Sequence, residues 1–538
     1  MPNLHTGWES IDIVVIGCGA GGGVIAKELA EAGLSVVVLE AGRRVDPLTS
    51  YHSDRPEFPA GAWKVFEPED PRQDLYTASG PLGFRYVRVK GVGGSTVVSW
   101  GVFPRFHESD FRTRSADGVA DDWPITYADL EPYYTRVEYE LGVSGPSGDE
   151  RNPFDSARSK PFPVPPHPMS LASHVIAQGS RKLGLHPFVP PLAIPTTSWD
   201  GRPACIQSGV CGYGCRISAK SSVDVTYVPK AERTGKAQIR TRCTAREVTV
   251  DSAGKARSVV YFDPRGEEKE IAARAVVVAG NAIETPRLLL LSSSRFFPTG
   301  LANSSGLVGK YLTEHLDCGY RARFSQPLEN WRGVPVSAMI QDYYGTDKRR
   351  DFARGWIVEV ATTGNWPVAA ARRIGGWGTA HKVRMKELFG HELEIFAQGE
   401  QLPDVRNHVT LDPEVKDHVG LPVPHLESEP RGNDLAMLPA MTGSLRDILD
   451  ASGAVEILDS WSHQPGASIH YMGTCRMGRD PKTSVVDQWC RTHDVPNLFI
   501  ADSSVFVTGA AAHPMPTLMA LATRTADFMV TAFKRGEF

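Results

Sequence analysis

Residues 11–42 read IDIVVIGCGAGGGVIAKELAEAGLSVVVLEAG, and this stretch decides the fold. The runs Ile11–Ile16 and Ser35–Leu39 are apolar, rich in β-branched residues and short enough to be buried strands. A glycine-rich turn and a helical pattern that stops at Gly33 separate the two runs. The stretch therefore predicts a strand–turn–helix–strand unit of about thirty residues.

The glycines and the terminal acidic residue of this unit suit a bound dinucleotide. Gly17 permits the tight turn, Gly19 lets the backbone approach a pyrophosphate, and Gly22 lets the helix sit close to the strand. Free N–H groups at the helix N-terminus favour phosphate, and Glu40 can accept hydrogen bonds from ribose hydroxyls. The position of the unit at the start of the chain favours FAD over NAD. The residues predicted to bind the cofactor here are Gly17, Gly19, Ala20, Gly21, Gly22, Glu40 and Ala41.

The composition argues against several classes of protein. Charged residues are 22% of the 538 residues and the net charge is −4, which does not indicate a nucleic-acid surface. No apolar run reaches the ~18 residues of a membrane-spanning helix, so no span is expected. The first ten residues lack the regions of an export signal, which predicts a cytoplasmic protein, although export on a partner subunit's signal would not show here. Eight cysteines do not suggest a disulfide framework.

The order of the patterns predicts a mixed α/β (α+β) fold, with a Rossmann-like FAD-binding domain and a discontinuous antiparallel-sheet substrate domain. Residues 43–90 are irregular, as in a surface excursion or a lid, and the proline-rich run 153–168 suits a domain crossing. Residues 316–465 alternate strand-like runs with turns. The predicted boundaries are 1–160, 205–315 and 466–538 for the FAD-binding domain, 161–204 for the crossing and 316–465 for the substrate domain.

A second glycine-rich loop, KGVGGSTVVSWG, occupies residues 90–101. Its glycines would let the backbone lie against a flat group, with hydroxyls and an indole close by. A glycine-rich turn beside a buried tryptophan explains the pattern equally well, so both interpretations stay open. Under the first of them, the predicted cofactor contacts include Gly91, Gly94, Ser95 and Trp100.

A second strand-to-helix junction follows later in the chain. Ala275–Gly280 has the pattern of a buried strand and runs into an apolar helix, in which Pro286 suits the first turn. This junction places Gly280 at the edge of the dinucleotide site. Val248, in the strand-like run Glu247–Val250, is added as a further predicted contact.

The C-terminal part holds the candidate catalytic residues, His470 and His513. Each lies in a loop of small residues, SIHYMGTCRMG at 468–478 and AAHPMPT at 511–517. A single histidine near a strand end is usually structural, but two in such loops favour catalysis as much as structure. Asp502 ends a strand, and Pro514 and Met515 open a helix whose N–H groups could polarise an electron-poor ring. These three residues join the predicted cofactor contacts.

Three cysteines, Cys205, Cys211 and Cys215, lie within eleven residues. As thiolates they could ligate a [3Fe–4S] cluster. They are too few for a closed four-cysteine zinc or [4Fe–4S] site without a distant fourth ligand. A tight loop with small buried thiols is the other interpretation, and the residues alone leave both open.

Taken together, these segments resemble the glucose-methanol-choline (GMC) oxidoreductases. The resemblance rests on the Gly17–Glu40 unit, the Gly91–Trp100 loop, the Ala279–Leu291 junction, the Gly306–His315 segment and the two C-terminal histidines. It implies an FAD enzyme that oxidises a CH–OH group to a carbonyl. In the family, the histidine matching His470 takes the hydroxyl proton, a hydride passes to flavin N5, and the residue matching His513 hydrogen-bonds the same oxygen. An unperturbed imidazole pKa of about 6.5 suits such a base.

Within the family, the chain is most similar to the branch that acts on sugars and sugar acids, which includes gluconate dehydrogenases, glycoside 3-dehydrogenases, glycoside oxidases and pyranose oxidases. The similarity rests on Gly93–Thr96 with Trp100, Trp123–Ile125 and Gly473–Gly478. Many sugar-oxidising members carry Asn where this chain has His513. Pyranose oxidases link their flavin to a histidine in the loop where this chain has Val97 and Val98, so the resemblance implies non-covalent FAD.

The cysteine spacing is similar to the [3Fe–4S] motif of multisubunit glucose and glycoside dehydrogenases, which work with a small subunit and a cytochrome. Comparable cysteine- and glycine-rich segments also occur in long-chain alcohol oxidases of the family, without a known cluster requirement. The cluster, and with it a partner subunit, therefore remains one of two interpretations of this segment.

The resemblance leads to one principal prediction and one alternative. The principal prediction is FAD-dependent oxidation of a secondary alcohol of a sugar or glycoside to the ketone, with O₂, a quinone or another acceptor reoxidising the flavin. The alternative substrate is an apolar alcohol of the long-chain, alicyclic or sterol-like kind. A purely structural flavin protein and an NAD-dependent dehydrogenase are further interpretations, and the presence of His470 argues against the former.

Overall fold

The computed structural model describes residues 11–52, 65–68, 70–80, 83–148, 151–362, 366–466 and 468–538. Residues 1–10, which carry the expectation about export, and residues 53–64, 69 and 81–82 of the predicted 43–90 excursion lie outside the described ranges. Within those ranges the chain forms two sheets of five strands and two of three. None of the helices in the described ranges is both long and apolar enough to cross a bilayer.

Strands and helices are distributed along the whole chain. The strands are β1 Ile13–Ile16, β2 Val36–Glu40, β3 Thr77–Ser79, β4 Ala237–Thr241, β5 Thr244–Val250, β6 Ala256–Phe262, β7 Glu268–Ala272, β8 Ala275–Val278, β9 His315–Phe324, β10 Val336–Ile340, β11 Trp356–Ala361, β12 Glu392–Glu400, β13 His408–Lys416, β14 Pro422–Glu427, β15 Ala454–Trp461 and β16 Leu498–Ile500. The helices are α1 Ala20–Glu31, α2 Pro47–Ser50, α3 Thr113–Asp117, α4 Tyr127–Leu141, α5 Leu171–Lys182, α6 Tyr227–Arg233, α7 Glu284–Leu291, α8 Pro367–Ile374, α9 Gly378–Leu388, α10 Asn433–Ser452 and α11 Met515–Lys534.

The first five-stranded sheet is parallel, with the strand order β16-β8-β1-β2-β4. Strand β1 is buried at every residue, because alternate side chains face two different cores. Ile13 and Val15 pack with residues of α1 and α11, whereas Val14 and Ile16 pack with the sheet β5-β6-β7. The predicted Rossmann-like unit is confirmed, with its two strands starting one or two residues later than the sequence pattern indicated.

Two glycines of the turn between β1 and α1 are required by close backbone contacts. A Cβ on Gly17 would lie 2.3 Å from the carbonyl oxygen of Ala279, and Gly17 has a φ of +99°. A Cβ on Gly21 would lie 1.6 Å from the carbonyl oxygen of Ala501. The turn therefore sits directly against the chain that leaves β8 and β16, so three strand ends meet at one edge of the sheet.

The second five-stranded sheet is antiparallel, with the order β10-β11-β12-β9-β15. Helices α5 and α10 cover one of its faces, around a core that includes Val358, Ile395 and Leu445. This is the antiparallel sheet with helices that the pattern of residues 316–465 indicates. The domain boundaries drawn from the sequence remain predictions.

A buried arginine ties this sheet to the rest of the chain. Arg354, in the turn before β11, has a side chain that is 1% exposed and forms ion pairs with Asp110, with Asp117 at 2.9 Å and with Glu400 at 2.6 Å. Breaking a buried ion pair is costly, because it leaves an uncompensated charge. The cluster thus fixes the antiparallel sheet against the segment 108–117.

Candidate active site

A cavity of about 540 Å³ lies between the strand ends of the parallel sheet and the antiparallel sheet. Its volume is within the range of small-molecule and cofactor sites. Most of the residues predicted from the sequence line it: Gly17, Gly19, Ala20, Gly21, Glu40, Ala41, Gly94, Ser95, Trp100, Gly280, Asp502, Pro514, Met515, His470 and His513. Residues that are hundreds of positions apart in the chain are therefore brought to one space.

Three predicted contacts do not line the cavity. Gly22 lies beneath the turn, where a Cβ would meet the carbonyl oxygen of Gly17 at 2.0 Å, and Gly91 pairs with Arg43 in an isolated bridge. Val248 points into the core of the sheet β5-β6-β7 and is 3% exposed. The alternation of side chains along β5 accounts for this correction, since the lining from this segment comes from residues 243–245 instead.

Glu40, at the end of β2, is held in place by two backbone groups. Its carboxylate accepts hydrogen bonds from the N–H of Cys18 at 2.9 Å and from the N–H of Gly42 at 2.8 Å. Burial raises the pKa of Glu40, while these two hydrogen bonds oppose the rise. The carboxylate is thus fixed at the cavity wall, beside the glycine turn.

The two glycine-rich loops, which are far apart in the sequence, lie against each other. The N–H of Gly93 donates to the carbonyl oxygen of Cys18 at 2.8 Å, and a Cβ on Gly94 would lie 2.9 Å from the Cα of Gly19. Gly94 has a φ of +52°, which disfavours a side chain. This close approach supports the interpretation of the second loop as part of a cofactor site.

Asp502 joins the Gly280 junction to the C-terminal part of the chain. Its carboxylate accepts hydrogen bonds from the N–H of Asn281 at 3.0 Å, from the N–H of Ser504 at 2.9 Å and from the Thr285 hydroxyl. Helix α11 then begins at Met515, at the cavity wall. The N-terminus of this helix provides unpaired N–H groups and partial positive charge there.

The two candidate catalytic histidines are neighbours, and a third histidine joins them. The ring centroids of His470 and His513 are 5.0 Å apart, and those of His315 and His470 are 5.1 Å apart. His315 is the first residue of β9 and is completely buried. The sequence analysis gave it no role, although it ends the Gly306–His315 segment that resembles the family.

Burial lowers the pKa of all three imidazoles. The pKa of His315 falls to about 4 and that of His513 to about 3. The pKa of His470 lies well below its ordinary value, because burial and the two neighbouring histidines all disfavour its charged form. All three rings are therefore neutral near pH 7, and each has one protonated and one unprotonated nitrogen.

The hydrogen bonds of His315 determine which nitrogen of His470 is free. His315 Nε2 lies 2.9 Å from the carbonyl oxygen of Ala510, which only accepts, so this nitrogen carries the proton. The unprotonated Nδ1 of His315 faces Nδ1 of His470 at 3.0 Å. Because two lone pairs would repel each other there, His470 Nδ1 donates and His470 Nε2 is unprotonated. The Gln398 carboxamide also reaches His470 Nδ1, at 3.2 Å, and with this tautomer its oxygen is the accepting atom.

Acidic residues of the antiparallel sheet also line the cavity. They are Asp317 in β9, Glu359 in β11 and Glu394 in β12. Burial raises the pKa of Asp317 to about 7 and that of Glu359 well above its ordinary value. The sequence analysis missed these residues. The signal was present in β11, where Glu359 is the one charged residue of the run WIVEVA.

The three cysteines do not form a metal site. In the part of the chain that the structure describes, no group of three or more His, Cys, Asp or Glu side chains could hold a metal ion. Burial raises the pKa of Cys211 to about 12, which disfavours the thiolate that ligation needs. The buried Lys220 instead ties this loop to the second glycine loop, donating to the carbonyl oxygens of Cys211 and Val97 at 2.8 Å. The predicted [3Fe–4S] cluster is therefore not supported, and the tight-loop interpretation describes this segment.

Comparisons with known proteins agree with this geometry. Two family models described as GMC oxidoreductase match residues 75–317 and 403–522. A 2-methyl-1,2-propanediol dehydrogenase of Mycolicibacterium austroafricanum is 35% identical over 98% of this chain and 97% of its own length. The fructose dehydrogenase large subunit of Gluconobacter japonicus is 31% identical over 98% of this chain and 99% of its own length. The crystal structure of pyridoxine 4-oxidase from Mesorbium loti has the same fold, with a TM-score of 0.67 and 18% identity over 96% of this chain and 99% of that chain.

The chain belongs to the GMC oxidoreductase family, and it is an FAD-dependent alcohol oxidoreductase. The residues present fit the cofactor. A Cβ on Gly19 would meet no protein atom closer than 3.9 Å, so the space above this glycine is free for a diphosphate. Glu40 is fixed at the wall on one side, and the same cavity extends to His470.

Proposed function

We propose that this protein oxidises a secondary alcohol of a sugar or glycoside to the ketone. The observation that carries the proposal is the unprotonated Nε2 of His470 in the wall of a cavity shared with the glycine turn. Relatives whose names mention fructose and 2-methyl-1,2-propanediol support a substrate with several hydroxyl groups. An apolar alcohol is the second candidate, because Trp100, Phe396 and Ile469 also line the cavity.

In this proposal the chain's own residues handle the proton and the orientation of the substrate. His470 Nε2 accepts the hydroxyl proton, while its Nδ1–H keeps the hydrogen bond to His315 and so holds the ring in place. His513 hydrogen-bonds the same substrate oxygen and fixes the carbinol beside His470. Bound FAD supplies the acceptor for the hydride that leaves the carbinol carbon. The alcohol loses one proton and one hydride and becomes the carbonyl.

The proposal also assigns roles to the cofactor contacts. The FAD diphosphate lies against Gly19 and Gly94 at the N-terminus of α1, and Glu40 accepts hydrogen bonds from the ribose hydroxyls. Val97 and Val98 offer no nucleophilic atom to the flavin, which supports non-covalent binding. The cavity end with His470 and His513 is then left for the alcohol.

The proposal needs no partner subunit. The small subunit and the cytochrome were expected only together with an iron–sulfur cluster, which the cysteine geometry does not support. The reduced flavin is then reoxidised by a small acceptor, either O₂ or a quinone. The relative from Gluconobacter japonicus is named a large subunit, and that description applies to the relative alone.

Anaerobic flavin reduction tests the proposed substrate class. The oxidised holoenzyme should lose its visible flavin absorbance with at least one polyhydroxylated compound among fructose, a methyl glucoside and 2-methyl-1,2-propanediol. It should keep that absorbance with decan-1-ol at the same concentration. The reverse pattern would replace the sugar proposal with the apolar-alcohol candidate. Photoreduction of the same sample confirms that the flavin itself is competent.

The pH dependence of flavin reduction tests the role of His470. A general base works in its unprotonated form, so its rate is lost only as the pH falls through its pKa. Since burial and the neighbouring histidines hold the pKa of His470 well below its ordinary value, kcat/KM should be about the same at pH 6 as at pH 8. A decline centred at pH 6.5 to 7 would contradict this arrangement. The measurement is stopped-flow flavin reduction at subsaturating substrate, with FAD content checked at each pH.

A further inference from the structure

The acidic residues of the cavity wall differ in whether they have partners. Glu394 forms an ion pair with Arg321 at 2.7 Å. Glu359 is completely buried, and neither of its carboxylate oxygens has a hydrogen-bond partner among the described residues. The same holds for Oδ1 of Asp317, which is 7% exposed. Two neighbouring buried carboxyl groups therefore face the cavity with accepting atoms that the described part of the chain does not satisfy.

This arrangement is unfavourable for an empty, charged site. Burying a carboxylate without a donor costs free energy, and such a group becomes neutral instead. Burial accordingly raises the pKa values of both groups, and for Glu359 the nearby Asp317 adds to the rise. A ligand that brings N–H or O–H donors would offset this cost, whereas an apolar ligand would leave it in full.

The distance to the catalytic pair locates the missing donor on the substrate. Glu359 Oε1 lies 3.7 Å from His513 Nε2, which is too long for a hydrogen bond between them. In the proposed function His513 contacts the carbinol oxygen. A donor that reaches Glu359 then lies only one or two bonds from the carbinol carbon.

We propose that Glu359, together with Asp317, binds a hydroxyl or ammonium group on the carbon next to the carbinol, so that the substrate is a vicinal diol or amino alcohol. This inference rests on the proposed function, because it uses the position of the carbinol at His513. It makes Glu359 a specificity-determining residue for that reaction. It also excludes simple apolar alcohols as good substrates, since these leave the two carboxyl groups without donors.

Three secondary alcohols of nearly equal size test the subsite: propane-1,2-diol, 1-aminopropan-2-ol and butan-2-ol. They differ only in whether the neighbouring carbon carries a hydroxyl, an ammonium or a methyl group. Wild-type holoenzyme should reduce its flavin with the diol or the amino alcohol at a kcat/KM at least ~10²-fold above that for butan-2-ol, because a site built to accept from a substrate donor rejects the analogue that lacks it. Equal values for all three compounds would overturn the proposal.

Variants assign the preference to Glu359. Glu359→Leu removes both accepting oxygens and should abolish the preference, mainly through KM. Glu359→Gln has the same shape, keeps one accepting oxygen and protects the test if the leucine variant does not fold. A loss in Glu359→Gln for the amino alcohol alone would identify the ammonium as the natural donor, and equal losses would identify the hydroxyl. Glu394→Gln is the matched control and should leave the ranking of the three compounds unchanged.

A purely positioning role of Glu359 and a failure of the proposed function give different results from these. If Glu359 acted only by positioning His513, Glu359→Leu would lower kcat for all three alcohols equally and would leave their ranking intact, which overturns the subsite. Binding of the three compounds to the oxidised holoenzyme, measured anaerobically by calorimetry, does not depend on turnover. Preferential binding of the diol or amino alcohol without flavin reduction would reject the proposed function and retain the subsite. Equal binding or no binding would reject the subsite.

Discussion

Replacing His470 with alanine should lower the rate constant of anaerobic flavin reduction by ~10²-fold or more, because general-base assistance typically contributes ~10²–10⁴-fold. The flavin should remain bound, since His470 is far in sequence and role from the glycine turn that would hold the diphosphate. Stopped-flow measurement at saturating substrate isolates this step from substrate binding and from reoxidation. Near-normal reduction in this variant would remove His470 from the mechanism.

His513→Asn is the matched comparison for His470→Ala. Asparagine keeps a hydrogen-bonding group at this position but cannot act as the base. Partial activity is therefore expected, with a smaller fall than in His470→Ala. Complete loss of flavin reduction in His513→Asn, with FAD still bound, would show that His513 does more than hydrogen-bond the substrate oxygen.

Gly19→Ala should leave the protein folded but weaken the retention of FAD. The new Cβ has no protein atom within 3.9 Å, and the backbone at Gly19 has a negative φ, which alanine adopts without strain. The methyl group would occupy the space assigned to the diphosphate. Crowding of one methyl into a filled site costs about 1–3 kcal/mol, which corresponds to roughly 5- to 150-fold in affinity.

Gly21→Ala provides the contrast two residues away. Its Cβ would lie 1.6 Å from the carbonyl oxygen of Ala501, so the chain itself has to move, whatever is bound. This variant should therefore lower the melting temperature of the apoprotein, whereas Gly19→Ala should not. FAD content is measured after acid precipitation, which should release all of the flavin if it is not covalently linked. Full FAD retention in Gly19→Ala would contradict the assigned position of the diphosphate.

The glycine turn and the two C-terminal histidines could be predicted because each is a local pattern. The β1–α1–β2 unit follows from a run of apolar residues, a glycine turn and a helix of suitable length, all within residues 11–42. Val248 shows the limit of such patterns. The run Glu247–Val250 identifies a strand, but the register of β5 against β6 decides which of its side chains face a core.

The cysteine segment shows a second limit. Its spacing suits metal ligation, yet spacing does not state whether three side chains converge. In the folded chain, Lys220 and the second glycine loop draw the backbone of this segment into a tight loop, and the burial of Cys211 favours its neutral thiol. Packing between distant segments therefore overrides the local resemblance.

The sequence by itself determined the dinucleotide unit, the family resemblance and the identity of the histidine pair, because those features are short and contiguous. Only the tertiary structure decided that His315, 155 residues before His470, sets the tautomer of that ring. It also decided that Asp317 and Glu359 face the same cavity with accepting oxygens that no described residue pairs. The physical reason is that these contacts depend on the pairing of β9, β11 and β12 and on how that sheet meets the C-terminal loops. The periodicity of hydrophobic residues encodes the strands but not their order.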